Sequence, residues 1–267
     1  MGIFGGKLID RHTAEWQFEH FEVLIKYLGR DLNMPDFVLH LPTRENFSDP
    51  DNPDAKHTGH QLAEFLLQKV KRQCGVGDIQ IKLIPTQESK PEKLGGSVIL
   101  QPVGKNAAVG RYIIRQNKHG ETVEKITYDR DLTGDPSQLV ATFAHELSHG
   151  LHNRMHNIPE FEEEILYEMF TDLTAIYLGY GVFIANGKSK FTTDSDSWSS
   201  QSIGYLSESE IIFATALFMK LKGVSLNIPK PFLKPHLFKM LGKAFKQLEK
   251  YKSEIEYLQG LRRPKTD

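Results

Sequence analysis

Apolar residues recur with helical spacing in two stretches near the start of the chain. Within residues 13–27 the apolar positions follow a period close to 3.6, and Gly29 follows as a stop signal. The same periodicity returns within residues 61–74, where glycines end it. The intervening residues 31–59 are rich in Pro, Asp and Asn, which disfavour long regular elements. The sequence therefore predicts two amphipathic helices joined by an irregular connector.

From Ile79 onward, apolar and polar residues alternate instead. Four short runs rich in β-branched residues are separated by Gly, Asn and Lys and predict a small sheet of about four strands: 79–83, 97–101, 109–115 and 122–128. Helical patterns follow at 136–152, about 160–178 and 208–221, with one or two more helices between 235 and 258. Because strands come first and helices afterwards, the expected fold class is α+β and not a wound parallel sheet.

The chain divides by these patterns into three segments. Residues 1–57 hold the first helix and the irregular connector, and residues 58–158 hold the second helix, the sheet and the helix that follows it. Residues 159–267 form a mostly helical half. The polar stretch 186–204 within that half predicts either a lid over a binding site or a surface loop.

A possible metal-binding motif lies in the helix predicted at 136–152. His145-Glu146-Leu147-Ser148-His149 is an H-E-x-x-H sequence, in which two imidazoles four residues apart project from one helix face and can share a zinc ion. Glu146 then lies beside the ion and can take a proton from a water that the zinc has acidified. A helix is expected here because Asp135 is a good N-cap and Pro136 suits the first helical position. The alternative is a helix whose histidines are merely solvated or buried in the core.

A third protein ligand is expected downstream, since catalytic zinc commonly takes three protein ligands and leaves one position open. Glu168 lies in the next predicted helix, and Asp172 follows one turn later on the same face. If the two helices pack together, Glu168 meets the two histidines, and Asp172 can accept a hydrogen bond from a ligand imidazole. Glu164, one turn before Glu168, is the reserve candidate.

Together, His145-Glu146-x-x-His149 and Glu168-x-x-x-Asp172 resemble the signature of the gluzincins, the zinc metallopeptidases that include the thermolysin-like enzymes. The resemblance covers roughly residues 79–181. It implies a zincin-like fold with Zn²⁺ bound by the two histidines and Glu168, Glu146 as general base, and Asp172 orienting a ligand histidine. It also implies peptide hydrolysis, with an edge strand of the preceding sheet aligning an extended substrate.

The chain departs from thermolysin-like enzymes in two respects. Those enzymes carry a separate C-terminal histidine or tyrosine that stabilises the oxyanion, and here no motif fixes its position. Tyr205 and His236 are the candidates, and Tyr205 precedes a capping box, Ser207-Glu208-Ser209-Glu210, which predicts that it lies at a helix entrance. Calcium-loop signatures typical of secreted relatives are absent, which favours an intracellular or specialised enzyme.

Composition narrows the classes of partner and compartment. With 33 basic and 34 acidic side chains the formal net charge is −1, so no global basic field favours nucleic acid or an anionic membrane. Cys74 is the single cysteine, which excludes an intrachain disulfide and favours a reducing compartment. No leader or membrane span is visible, so a cytoplasmic protein is expected.

These observations predict a zinc metallopeptidase acting on a peptide or protein substrate. Two alternatives stay open: a zinc hydrolase acting on another amide, because the ligand set does not specify a peptide, and a zincin-fold binding or sensing module without catalysis.

His152 and His156 continue the histidine face of the helix, and they are expected to be solvated at its C-terminal end, where the helix dipole favours positive charge.

Overall fold

The computed structural model describes residues 7–28, 32, 34–49, 52, 55–86, 110–116, 122–194 and 205–261; the side chains of 189–194 are not described. The described chain is a mixture of α-helices and a small sheet, which confirms the α+β class. The elements are α1 (Arg11–Tyr27), α2 (Arg44–Phe47), α3 (Gly59–Gln73), β1 (Ile81–Thr86), β2 (Gly110–Gln116), β3 (Thr122–Asp129), α4 (Pro136–His152), α5 (Glu164–Ala175), α6 (Gly181–Asp194), α7 (Glu208–Leu221), α8 (Pro235–Leu248) and α9 (Lys252–Gly260).

The described strands form a mixed sheet in the order β1-β3-β2. β3 pairs with β1 in parallel and with β2 antiparallel. The strand directly before α4 is therefore central, and β2 is the strand at the edge beside α4. The fourth strand predicted at 97–101 lies outside the described residues.

The start of α4 follows from its capping residues. The side chain of Asp135 accepts the backbone N–H of Gln138, and Pro136 occupies the first turn, where a missing N–H costs nothing. The predicted bounds of this helix, 136–152, are confirmed. The same holds for α7, where Ser207 and Glu210 form the predicted capping box.

The region after α4 differs from the prediction in two ways. α5 begins at Glu164 and not near residue 160, with an extended residue at Glu163 and no side-chain cap. The helical path turns at Gly179, whose backbone is not helical, close to the predicted end at 178, and a further helix, α6, then runs to Asp194, so the stretch predicted as a lid or loop from 186 begins as helix. The turn depends on Gly179, whose φ of +95° favours glycine and whose added Cβ would lie 2.1 Å from the carbonyl oxygen of Val38.

One buried apolar cluster connects all three predicted segments of the chain. α1 packs against α5, α7 and α9, and the side-chain oxygen of Gln247 in α8 accepts the backbone N–H of Leu8 at 2.7 Å. α7 is buried almost all round, as expected of a helix that is apolar on every face. Among the described helices, none combines the length and apolar character that a bilayer crossing requires.

Candidate metal centre

α4 places the two motif histidines on one face, as the four-residue spacing predicts. The rings of His145 and His149 have their centroids 5.0 Å apart, and both side chains are mostly buried. The neighbouring turn of α5 faces them, since α4 packs directly against α5. The histidines are therefore held in a partly open cleft between two helices.

Glu168 of α5 completes a three-residue cluster. Its Oε2 lies 3.2 Å from Nε2 of His145 and 3.5 Å from Nε2 of His149. One ligand atom from each residue lies within 4.8 Å of the others. Zinc bonds of about 2.0–2.1 Å in a tetrahedron place neighbouring ligand atoms about 3.3 Å apart, so both distances fit a shared zinc ion. The exposed reserve candidate, Glu164, does not belong to this cluster.

Asp172 lies behind His145 and is fully buried. Its Oδ1 is 2.9 Å from Nδ1 of His145, leaving Nε2 to face Glu168. Its Oδ2 accepts the backbone N–H groups of Tyr205 and Leu206, the latter at 3.0 Å. Asp172 therefore orients the His145 ring and also connects it to the segment that leads into α7.

The second motif histidine, His149, makes only long contacts with α5 through its Nδ1 atom. Its Nδ1 lies 3.4 Å from the hydroxyl of Tyr167 and 3.5 Å from that of Thr171, both on α5. The sequence prediction missed both hydroxyls. Residues 167, 168, 171 and 172 form one helical stripe, so the spacing that identified Asp172 could have identified Tyr167 and Thr171 as well.

The histidine His145 of α4 and the carboxylate Glu168 of α5 shift each other's pKa in opposite directions. Burial lowers the pKa of His145, but hydrogen bonds to Asp172 and Glu168 outweigh it and raise that pKa to about 10. Burial raises the pKa of Glu168, but hydrogen bonds to His145 and His149 bring it down to about 2. The carboxylates therefore favour a positive charge between them, which a proton or a metal cation can supply.

Glu146 is buried beside the cluster without belonging to it. Burial raises the pKa of its carboxyl group, while the two histidines act in the opposite direction. The backbone N–H of Tyr112 in β2 donates to this carboxylate. A Cβ at Gly110 would come within 2.6 Å of Thr142 and 2.9 Å of Glu146 Oε1, so glycine is what allows β2 to lie this close to α4.

A polar network fixes β2 against the far end of α4. Glu124 of β3 accepts hydrogen bonds from the phenol of Tyr112 and from the guanidinium of Arg154. The Tyr112 ring rests on Gly150, where an added Cβ would lie 2.7 Å from the ring. No pattern in the sequence pointed to this network, because its members come from three separate elements.

The two oxyanion candidates lie in different surroundings. Tyr205 is 51% exposed, and burial of its phenol together with the nearby carboxylates of Glu168 and Glu164 raises its pKa. Because Glu168 belongs to the three-residue cluster, its effect on Tyr205 shows that this phenol lies near the cleft. His236 instead lies 3.5 Å from the carboxylate of Glu208 at the start of α7.

The expectation that His152 is solvated is wrong. His152 is 2% exposed, its Nε2 lies 2.8 Å from the hydroxyl of Thr174, and its ring stacks on Phe170. Burial, together with the neighbouring histidines, lowers its pKa to about 3. His156, beyond the end of the helix, is exposed as predicted.

Comparison of the chain with protein-family models, with curated proteins and with solved structures found no match. Two imidazoles and a carboxylate form a donor set that zinc accepts, and a buried carboxylate beside them is suited to proton transfer.

Proposed function

We propose that this protein is a zinc-dependent hydrolase of peptide bonds with a zincin-like fold. The observation that carries the proposal is the convergence of His145, His149 and Glu168, whose spacing of 3.2 and 3.5 Å fits tetrahedral zinc ligands. The burial of Asp172 against His145 Nδ1 supports it, because ligand histidines usually donate their other N–H to a carboxylate.

Each residue of the cleft has a role in this reaction. His145, His149 and Glu168 would hold the zinc ion, which when bound would supply Lewis-acid chemistry to the substrate carbonyl and make a water easier to deprotonate. Glu146 takes the proton of the attacking water and delivers it to the leaving amine, a task suited to a carboxylate whose pKa is raised by burial. The N–H of Tyr112 holds that carboxylate on the side of the cleft formed by β2.

Tyr205 is proposed as the group that stabilises the oxyanion. Its phenol is protonated at neutral pH, as tyrosine ordinarily is, and burial together with the nearby carboxylates raises its pKa further, so it can donate a hydrogen bond. The capping box of α7, and the hydrogen bonds that the backbone N–H groups of Tyr205 and Leu206 donate to Asp172, hold this residue at the helix entrance.

A peptide is the proposed substrate because of the gluzincin-like ligand pattern and the position of β2. Within the part of the sheet that is described, β2 forms an edge beside α4, and an edge strand offers backbone N–H and C=O groups to an extended chain. Because the single cysteine, Cys74, is buried and no intrachain disulfide can form, we place this activity in the cytoplasm.

The proposal is tested by zinc content and by a library of quenched fluorescent peptides, with small amides alongside. We expect about one zinc per purified chain and cleavage of peptides, and Glu146→Gln should keep the zinc while activity falls about 100- to 10,000-fold. The matched control, Glu164→Gln, changes a glutamate of the same cleft outside the ligand cluster and should keep both. Cleavage of small amides alone would reject a peptidase, and full activity of Glu146→Gln would reject the mechanism.

A further inference from the structure

The sheet face that points away from α4 is rich in basic residues. Side chains alternate along a strand, and Ile126 and Tyr128 of β3 point inward and are buried. The alternate residues of β3, such as Lys125 and Thr127, point outward. The residues paired with them on β1 and β2 point to the same side of the sheet. Four of these outward residues are cationic and are called here the basic face: Lys82, Arg111, Arg115 and Lys125.

Lys125 lies at the centre of the basic face. Lys82 is directly opposite it on β1, and Ile113 is directly opposite it on β2, with Arg111 and Arg115 two residues to either side of Ile113. Like charges directly opposite on neighbouring strands are destabilising, so this arrangement costs folding free energy.

The cations of the basic face have no close partner among the described residues. None of the four cations lies in an ion pair or hydrogen bond with another described residue, and Asp129 is the sole outward carboxylate on the three strands. That carboxylate lies at the end of β3 and accepts the backbone N–H of Asp131. On the inner face, by contrast, Arg154 pairs with Glu124. Among the described residues, these four charges therefore remain available to a bound anion.

We propose that the basic face is a docking surface for an acidic segment of a partner protein. The outward residues between the cations are aliphatic or threonine: Ile84, Thr86, Ile113, Val123 and Thr127. This mixture matches a segment that carries carboxylates interspersed with apolar side chains. The face lies across the sheet from the metal centre, so the proposal is independent of the proposed hydrolase activity.

Other polyanions match the surface less well. No aromatic side chain points outward from the described strands, whereas single-stranded nucleic acid is bound through stacking on aromatic rings and membrane interfaces through Trp and Tyr. The whole chain has a formal net charge of −1, so the surface outside the basic face is net negative and repels a long polyanion.

Binding of a fluorescein-labelled, 12-residue peptide of glutamate with leucine at every fourth position tests the proposal by anisotropy. We expect the full chain to bind it, more weakly at higher salt, and Lys82→Gln/Lys125→Gln to weaken binding about tenfold or more. The matched control, Lys239→Gln/Lys243→Gln, removes two exposed charges from α8 and should change binding less than about twofold.

Three outcomes would overturn the proposal. Absence of binding by the unmodified chain is one, and equal loss in the two double variants is another. The third is tighter binding, through the same lysines, of a single-stranded oligonucleotide or of vesicles of phosphatidylserine and phosphatidylcholine.

Thermal unfolding is a separate test. Removing Lys82 and Lys125 should keep or raise Tm, and a clear fall in Tm would show that these cations already have partners within the chain.

Discussion

Two histidines on one helix, two turns apart, have opposite electrostatic surroundings. His145 lies between the carboxylates of Asp172 and Glu168, and its pKa is raised to about 10. His152 lies against the Thr174 hydroxyl and the Phe170 ring, and its pKa is lowered to about 3. Both rings are buried, and burial lowers the pKa of both.

The difference comes from what α5 places opposite each ring. A carboxylate compensates the charge of a buried imidazolium, whereas a hydroxyl and an aromatic ring do not, so desolvation dominates at His152. The first environment attracts a cation and the second excludes one. A metal ion is therefore expected beside His145 and not beside His152, although both histidines lie in the second half of α4.

The largest effect is expected from removing Glu168, the carboxylate that lies close to both proposed ligand histidines. Glu168→Ala should weaken zinc binding about 1,000-fold or more, since loss of a ligand costs more than the 10- to 100-fold typical of outer-shell changes. Titration with a zinc-chelating dye measures the affinity. Glu164→Ala, one turn earlier on α5, is the control and should keep it. Zinc lost in the control and retained in Glu168→Ala would mean that the wrong glutamate has been identified as the ligand.

Asp172→Asn should have the next largest effect on zinc. The amide keeps the size of the side chain but loses the charge that supports the imidazole of His145, so affinity should fall about 10- to 100-fold. Thr174→Val removes the partner of His152 on the same helix and should leave zinc affinity unchanged. Equal zinc affinities in the two variants would contradict the comparison. Circular dichroism checks that each variant folds.

His152 should make the protein less stable in mild acid. Its pKa is about 3 in the folded chain and near 6.5 when exposed, so below pH 6.5 the unfolded chain binds the proton first. Stability then falls by about 1.4 kcal/mol per pH unit, or about 2 kcal/mol between pH 6.5 and pH 5. Urea unfolding at the two pH values measures this loss.

His152→Gln should remove most of that pH dependence. His156→Gln alters an exposed histidine just beyond the same helix and should keep it. An identical pH dependence in the wild type and His152→Gln would show that this ring is not held neutral by burial.

The smallest effect is expected at Tyr167, which supports His149. Its hydroxyl is 3.4 Å from Nδ1, a long contact, and Thr171 offers a second hydroxyl at 3.5 Å. Tyr167→Phe should therefore weaken zinc binding less than about tenfold, measured with the same dye as above. A loss of zinc affinity as large as that of Asp172→Asn would mean that Tyr167 supports His149 as strongly as Asp172 supports His145.

Periodicity and capping predicted much of the architecture. The bounds of α4 and α7 are confirmed because Asp135, Pro136 and the Ser207 capping box are local signals that act within one turn of chain. The predicted loop from residue 186 was wrong at its start, because residues 186–194 belong to α6, which follows a turn whose glycine, Gly179, packs against Val38. No local pattern carries that contact.

The sequence by itself determined that two histidines lie together on one helix face, since a helix has a fixed geometry that places residues four apart on one face. It also determined that Glu168 and Asp172 share a face of the next helix. Only the tertiary structure decided that these carboxylates meet His145 and His149 while Phe170 and Thr174 meet His152. It likewise brought Tyr112 and Gly110 of β2 beside Glu146. Charge and burial at each ring depend on neighbours from distant parts of the chain, and packing alone brings those neighbours together.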